Sequence, residues 1–266
     1  MKNLLTQEFS TLESVNSVKS KNLVACVSDK AYLGHLKTLL NSLKNYKSEV
    51  CVAVCLANID LNDPITEKLK KIYSNIIFYS TNKDFESNEN KKAYYCNLRV
   101  SYLNNLLEEG ASNILYIDVD SIFQQNIDDN FFLNEAYDIM IHFRQENDPR
   151  FRVATGVIFI NNSPMTQSFF KQWKVSIEKN IYQWFSDQIT FFETFEKFKD
   201  KMIFLHLEKS FIDWEFRRGS LIWAGKGPRK YKNLIYLLER LRMKVFNSKL
   251  NRFLSSLQNL LRYLNK

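Results

Sequence analysis

Asp118 and Asp120 stand one residue apart at the end of the apolar run Ile114-Leu115-Tyr116-Ile117, with Val119 between them and Ile122-Phe123 just beyond. The run follows Gly110-Ala111-Ser112 and reads as a buried strand. In an extended chain residues i and i+2 share a side. Both carboxylates are therefore expected to face one point at the strand's carboxyl end, where open α/β sheets bind ligands. Two such carboxylates repel unless positive charge lies between them. A hard divalent cation such as Mg²⁺ answers that need, held by one or two carboxylates and completed by water and phosphate oxygens. A solvated strand end is the plain alternative, and the surrounding chain has to decide.

Five other places could join such a site. At Ser28-Asp29-Lys30-Ala31-Tyr32 a strand-like run breaks into a helical pattern. That turn either offers amides and an acid to a base or ribose, or only caps the helix through Ser28 or Asp29. Arg99, in the helical pattern before the acidic pair, could orient the carboxylates or contact a phosphate. Gly156, in Thr155-Gly156-Val157, opens a strand without a side chain and lets a ligand approach the backbone. Asp187 and Gln188 begin a helical pattern after Ser186, where they could hold sugar hydroxyls or the acceptor, unless Ser186 is only a cap. Between Trp223 and Lys230, Gly225 and Gly227 are interleaved with Lys226, Arg229 and Lys230, a composition suited to a diphosphate or to a basic surface turn. His35 and His142 fall inside expected elements and are expected to be structural, whereas His206, just past a short strand, could complete a metal site or be an ordinary packed or exposed histidine, the commoner case.

The elements that must position these residues alternate. Strand-like runs at 23–27, 50–57, 75–79, 113–117, 137–143, 156–161 and 203–205 are separated by helical patterns near 33–43, 65–73, 93–107, 165–181 and 186–195. Residues 82–92 and 211–230 read as irregular. This order implies an α/β fold, a mostly parallel Rossmann-like sheet flanked by helices. With 266 residues, 45% hydrophobic, the chain can bury a large core. The expected division is an N-terminal extension (1–21), a catalytic domain (22–230) and a helical tail (231–266). No apolar signal core occurs near the start, and no run of about 18 apolar residues predicts a membrane span. Cys26, Cys51, Cys55 and Cys96 include no Cys-x-x-Cys, and three lie in apolar runs. They are expected to be reduced core thiols of a cytoplasmic protein.

Charge is unevenly placed. The net charge is +8, and residues 231–266 hold eight basic side chains against Glu239 alone, so the preceding 230 residues are nearly neutral. Phe246, Leu250, Phe253, Leu257, Leu260 and Leu264 recur at spacings of four and three, with Leu254 and Leu261 beside them. A basic amphipathic helix of this kind suits the anionic inner face of a membrane, with the protein peripheral on it. Packing on its own domain or on a second subunit, as in a homo-oligomer, is the other reading.

Taken in order, these pieces resemble the GT-A nucleotide-sugar glycosyltransferases, specifically the glycogenin and lipopolysaccharide galactosyltransferase family. The resemblance rests on Val27-Ser28-Asp29 with Tyr32, on Arg99, on Tyr-Ile-Asp-Val-Asp-Ser at 116–121, on Thr-Gly-Val-Ile-Phe-Ile-Asn at 155–161 and on Asp187-Gln188. It implies Mn²⁺ or Mg²⁺ on Asp118 and Asp120. The 27–32 turn would hold the base, and Asp187-Gln188 would lie near the donor sugar and the reacting carbon. It further implies a nucleotide-diphosphate sugar donor, a glycan or lipid-linked acceptor, a place in surface-polysaccharide synthesis, and retention at the transferred carbon. The family usually ends in His-x-x-Gly-x-x-Lys. Here Gly227-Pro228-Arg229-Lys230 matches the second half, while Ala224 stands at the His position. His206, Asp213 or water would then supply the third ligand.

Two other functions fit parts of the chain. Haloacid-dehalogenase-like phosphatases also end a strand in Asp-x-Asp, but on the first strand, and here about three strands precede it. A basic-tailed binding module for membrane or nucleic acid would use the same charge. The aromatics are not interleaved with cations on strands as single-strand binders need, so no nucleic-acid partner is expected.

Overall fold

The computed structural model describes residues 8–12, 17–132 and 137–264. Eight strands form the main sheet: β1 (Ser10–Thr11), β2 (Asn22–Asp29), β3 (Cys51–Ala57), β4 (Ile76–Thr81), β5 (Asn113–Ile117), β7 (Ile139–Phe143), β8 (Val153–Asn161) and β9 (Phe204–His206). A second sheet holds β6 (Ser121–Phe123), β10 (Ile212–Asp213) and β11 (Ile222–Ala224). The main order is β1-β4-β3-β2-β5-β8-β7-β9. β4, β3, β2 and β5 run parallel, and β8 reverses against both β5 and β7. β3, Cys-Val-Ala-Val-Cys-Leu-Ala, is buried along its whole length, as expected of a central parallel strand covered on both faces.

Helices α1 (Leu33–Asn45) and α2 (Pro64–Ile72) contribute Leu36, Leu39, Leu40, Leu43 and Leu69 to one core layer. The helices α3 (Asn88–Glu108), α4 (Pro164–Glu178) and α5 (Ser186–Phe198) build the other, around Tyr102, Phe169, Trp173 and Phe191. All four cysteines are free, and three are buried, as expected of core thiols.

Local chemistry moves some boundaries. Helix α3 begins at Asn88, inside the stretch expected to be a loop, because the Ser87 hydroxyl accepts from the Asn90 amide and caps it. Its first turn is polar, so apolar periodicity misses it. The segment expected to be an extension supplies β1, paired with β4, and buries Val18. Residues 211–230, expected to be irregular, contain β10, β11 and the short helix α6 (Arg229–Lys232).

The tail is two helices, α7 (Leu234–Lys244) and α8 (Lys249–Leu264). Helix α7 lies on α1, and Asn45 donates to the Met243 carbonyl at 2.9 Å. Buried Glu239 of α7 accepts from Arg242 at 2.7 Å and from Gln258 of α8 at 2.8 Å, which clasps the two helices together. Among the described residues no helix is long and apolar enough to cross a membrane.

Candidate active site

Strand β5 stops at Ile117, so Asp118-Val119-Asp120 is a turn and not an extended continuation. The Asp118 amide still donates to the Gly156 carbonyl at 2.8 Å, and the Ser121 amide closes on the Asp118 carbonyl at 3.0 Å. The expected alternation is thus replaced by a tight turn, and each acid has its own cation. Asp118 Oδ1 lies 3.1 Å from Arg99 Nη1, and its side chain is 40% exposed. Asp120 Oδ2 lies 2.8 Å from Lys230 Nζ, and its side chain is only 12% exposed. Burial pushes the Asp120 carboxyl up, the Asp118 carboxylate pushes it further, and Lys230 pulls it back. Lys230 is likewise buried, but the Asp120 charge outweighs that and holds its ammonium above the ordinary range.

Lys230 also donates to the Tyr32 hydroxyl at 2.9 Å and sits 4.5 Å from that ring's centroid. The 27–32 turn and the Gly-x-x-Lys segment therefore meet at Asp120, as their common assignment to one site requires. Asp29 does what a plain cap does, its Oδ1 accepting from the Tyr32 amide at 3.0 Å. Buried Ser28 donates to the Asp29 carbonyl, and Val27 pairs with Cys55 of β3.

Arg99, projecting from α3, is buried and engages partners through Nε and Nη1. Nε donates to the Cys96 carbonyl at 2.7 Å, and Nη1 donates to the Thr155 carbonyl at 2.9 Å. Asp187 Oδ2 is 3.6 Å from Nε and also accepts from the Thr155 hydroxyl. The guanidinium thus links Asp118 to Asp187. Asp187 is buried and turned inward, so it positions its neighbours and does not present a free carboxylate. Gln188 is half-buried; with its amide turned so that the nitrogen faces them, it donates to the Val153 carbonyl at 2.6 Å and the Arg150 carbonyl at 2.9 Å. A Cβ at position 156 would lie 2.5 Å from Asp118 Oδ2, so any larger residue than Gly156 would displace that carboxylate.

Residue 224 falls where the motif order places it. Ala224 pairs with Ser121, and the Gly225 amide donates to the Asp120 carbonyl at 3.1 Å. Gly227 has φ of 58°, a left-handed turn that brings α6 and Lys230 back towards Asp120. Lys226 is exposed, 5.7 Å from the Trp214 ring. A methyl at 224 ligates nothing, and the other two third-ligand candidates fail. Among the described residues no three His, Cys, Asp or Glu side chains gather to hold a metal. His206 is on β9, beyond β7, with its ring 4.9 Å from that of His142; it does not join Asp118 and Asp120. Asp213 is occupied by the amides of Glu215 and Arg217, at 2.9 and 2.6 Å.

The two acids alone still fit a hard divalent ion completed by water and donor phosphates. Burial first and the Asp118 carboxylate second hold the Asp120 carboxyl above its ordinary range, so further positive charge beside the pair would be stabilising. Soft or thiolate-bound metals do not fit an all-oxygen pair.

Sequence reasoning missed three site residues. Asn97 donates to the Ile181 and Gln183 carbonyls, at 2.7 and 2.9 Å, and accepts from the Asp187 amide. A buried amide in the Tyr94–Leu98 stretch of α3 was the available signal. Tyr236, assigned to the tail, donates to the Asp120 carbonyl at 2.6 Å. Phe185 takes φ of 64°, rare for a bulky side chain, immediately before α5 and Asp187.

A profile of the nucleotide-diphospho-sugar transferase family matches residues 61–219. Among solved structures, the galactosyltransferase LgtC, crystallised with donor and acceptor sugar analogues, aligns at a TM-score of 0.56 and 14% identity, over 84% of this chain and 94% of that one. The glycosyltransferase GlyE of Streptococcus pneumoniae TIGR4 aligns at 0.53 and 17% identity, over 84% of this chain and 61% of that one. The bifunctional WbbM aligns at 0.55 and 12% identity, over 89% of this chain and 51% of that one. The chain thus spans about three fifths of GlyE and half of WbbM. At these identities the likeness is one of fold. No curated protein sequence matches significantly.

Proposed function

Because the chain belongs to the nucleotide-diphospho-sugar transferase family, we propose that it moves a sugar from a nucleoside diphosphate to a hydroxyl of a glycan or lipid-linked acceptor in bacterial surface-polysaccharide synthesis. Its family membership takes the place of the phosphatase and binding-module readings. The observation that carries the proposal is the meeting at Asp120 of Lys230 and Tyr32, from segments 198 residues apart, beside the Asp118–Arg99 pair.

In this reading the 27–32 turn receives the nucleoside, and Lys230 is the cation placed for the diphosphate. Asp118 and Asp120 would hold Mn²⁺ or Mg²⁺. When bound, such an ion stabilises charge on the departing diphosphate. Arg99 and Asp187 hold the Asp118 side of the site rigid, and Gly156 leaves room for the Asp118 carboxylate against the backbone. The loop with Lys226 and Arg229 excludes water as it closes over the donor. In this reading Gln188 would be near the donor sugar, and retention is weakly favoured.

A thermal-shift screen against uridine, guanosine, cytidine and adenosine diphosphates, each with and without Mn²⁺, tests this. One base is expected to raise the melting temperature with Mn²⁺ by several degrees, since ligand at 100 times Kd adds about 2.7 kcal/mol. No shift with any of the four rejects the donor reading.

The tail supports a membrane reading in altered form. Leu254 and Gln258 of α8 turn inward, while Leu250, Phe253, Leu260 and Tyr263 are exposed. Not all the tail's charge faces outward: Arg242 is bound to Glu239, and Arg262 lies over the Trp223 ring at 5.1 Å. Lys244, Lys249 and Arg252 remain exposed around the apolar stripe. We assign this face to an anionic bilayer, with the protein peripheral on the inner membrane face. Removing residues 231–266 would also remove Tyr236 from Asp120, so point changes are the cleaner test. Phe253→Glu with Leu260→Glu is expected to cut sedimentation with phosphatidylglycerol vesicles at least about tenfold, leaving the melting temperature unchanged. Unaltered sedimentation rejects the assignment.

A further inference from the structure

Near the acidic pair lies an aromatic side chain that the donor reading leaves unused, with cations of the donor loop and of β7 beside it. Trp214 follows β10, and three cations converge on it. The Arg144 guanidinium is 5.3 Å from its ring centroid and the Lys226 ammonium 5.7 Å, while Arg229 Nη1 donates to its carbonyl at 3.4 Å. His142 packs edge-on against the same ring at 5.1 Å, with its Nδ1 2.9 Å from the Leu207 carbonyl. Burial holds the His142 imidazole below its ordinary range, so it braces the indole as a neutral ring.

Neither Arg144 nor Lys226 has an ion-pair partner among the described residues. The two charges also oppose each other. Lys226 is exposed as a residue, yet its surroundings strip water from the ammonium, and the Arg144 charge adds to this, bringing it down to about 8. Asp118 and Asp187 pull the other way without reversing the shift. Stacking on an indole compensates a cation only partly, by about 0.5–1 kcal/mol at exposed sites. Two repelling cations against one aromatic ring are the arrangement an incoming anion relieves, and a fork such as Arg144 recognises carboxylate or phosphate in two-point fashion. An indole beside them offers a flat apolar surface for the C–H face of a sugar ring.

The location identifies whose anion it is. Lys226 directly follows Gly225, whose amide is bonded to the Asp120 carbonyl, so the platform adjoins the donor cradle. Lys230 already serves the Asp120 side, whereas Arg144 enters from the end of β7. We propose that Trp214, Arg144 and Lys226 form the acceptor subsite, and that the acceptor sugar carries an anionic group, a carboxylate or a phosphate. This rests on the glycosyltransferase reading and names the chemical class of its second substrate.

Ligand-observed NMR titration of the full chain tests it. The probes are methyl glycosides of glucose, galactose and N-acetylglucosamine, their 6-phosphates, and the matching uronates of the first two, each measured with and without the nucleoside diphosphate found by thermal shift. At least one anionic glycoside is expected to bind ten times or more tighter than its neutral parent, and the phosphate and uronate arms say which anion is read. Arg144→Gln is expected to erase that difference while leaving the neutral glycoside and the nucleotide unchanged. Equal binding of anionic and neutral sugars by the unaltered protein overturns the proposal. So does an Arg144→Gln variant whose main loss is in nucleotide affinity, which would return these cations to the diphosphate. Failure of every nucleotide to bind, with anionic glycosides still preferred, would instead strike the transferase reading alone.

Discussion

Asp120→Asn is expected to lose about 10³-fold or more in transfer rate, on the scale of removing one dominant transition-state electrostatic contact, with a circular dichroism spectrum unchanged from the parent. The substitution keeps the shape of the side chain and an oxygen for Lys230, and removes one negative charge. That charge is nearly enclosed, so it acts in low dielectric on whatever cation shares the site. A loss of that size is about 4 kcal/mol of barrier. Asp118→Asn is expected to lose activity as well, but by less. Its carboxylate is 40% exposed and partly screened, and Arg99 retains Asp187 as a partner. If either variant is folded and transfers sugar at more than about a tenth of the parental rate, the acidic pair is not the centre of a charge-stabilised reaction of this kind. Adding Mn²⁺ separates causes further: the parent is expected to be activated, and Asp120→Asn to respond only at much higher concentration.

How much of this site was readable depends on what kind of signal each residue leaves. The acids, Arg99, Gly156 and the Gly-x-x-Lys segment are legible because their types are costly or unusual where they stand: charge at the end of an apolar strand, a glycine opening another. Alternation of strands and helices accounts for the parallel β2, β3, β4 and β5, whereas Gly156 arrives on β8, reversed against β5, and Lys230 by way of β11 and α6. The turn at 118–120 was not legible, because an apolar run followed by Asp-x-Asp has the same pattern whether the strand continues or stops. Tyr236 was hidden for another reason. In sequence it belongs to a basic amphipathic tail, and only the lie of α7 on α1 brings its hydroxyl to the Asp120 carbonyl, 116 residues away. The short strands β10 and β11 hold two and three residues, too few for any periodicity, and they form because β6 is there to pair with β11. His206 shows the converse error. Being next to a strand end made it a candidate, but β9 pairs with β7, and that neighbour puts its ring against His142 instead.

Arg99→Met is expected to destabilise the fold by about 3–5 kcal/mol, the range for breaking a buried ion pair by removing one partner. In a domain of this size that is a drop of roughly 10 °C in melting temperature. The Asp118 contact contributes little to this, since that side chain is open to water and its pairing is screened. The cost comes from the other side of the guanidinium. There Asp187 is 5% exposed and the Cys96 and Thr155 carbonyls both accept from it. Methionine fills the volume but leaves the buried Asp187 carboxylate without its cation, with the Thr155 hydroxyl still donating to it, and takes one donor from each of two carbonyls. Arg99→Lys is expected to recover part of the stability and little of the activity, because one ammonium cannot reach Cys96, Thr155, Asp118 and Asp187 in the fork geometry. The decisive measurement is the double variant Arg99→Met with Asp187→Asn, read by urea denaturation. If the loss arises from an abandoned charge, removing that charge should return at least about 1 kcal/mol, a coupling of the size contacting residues show. A single variant that costs under about 1 kcal/mol, or a double variant no more stable than the single, would mean that α3 and α5 are held by Asn97 and their apolar contacts without help from the ion pair. The rigidity attributed to the Asp118 side of the cleft would then need another source. The same guanidinium sets the carboxylate's position and holds together the two helices behind it, so stability and catalysis are expected to fall together at this residue and separately at Asp120.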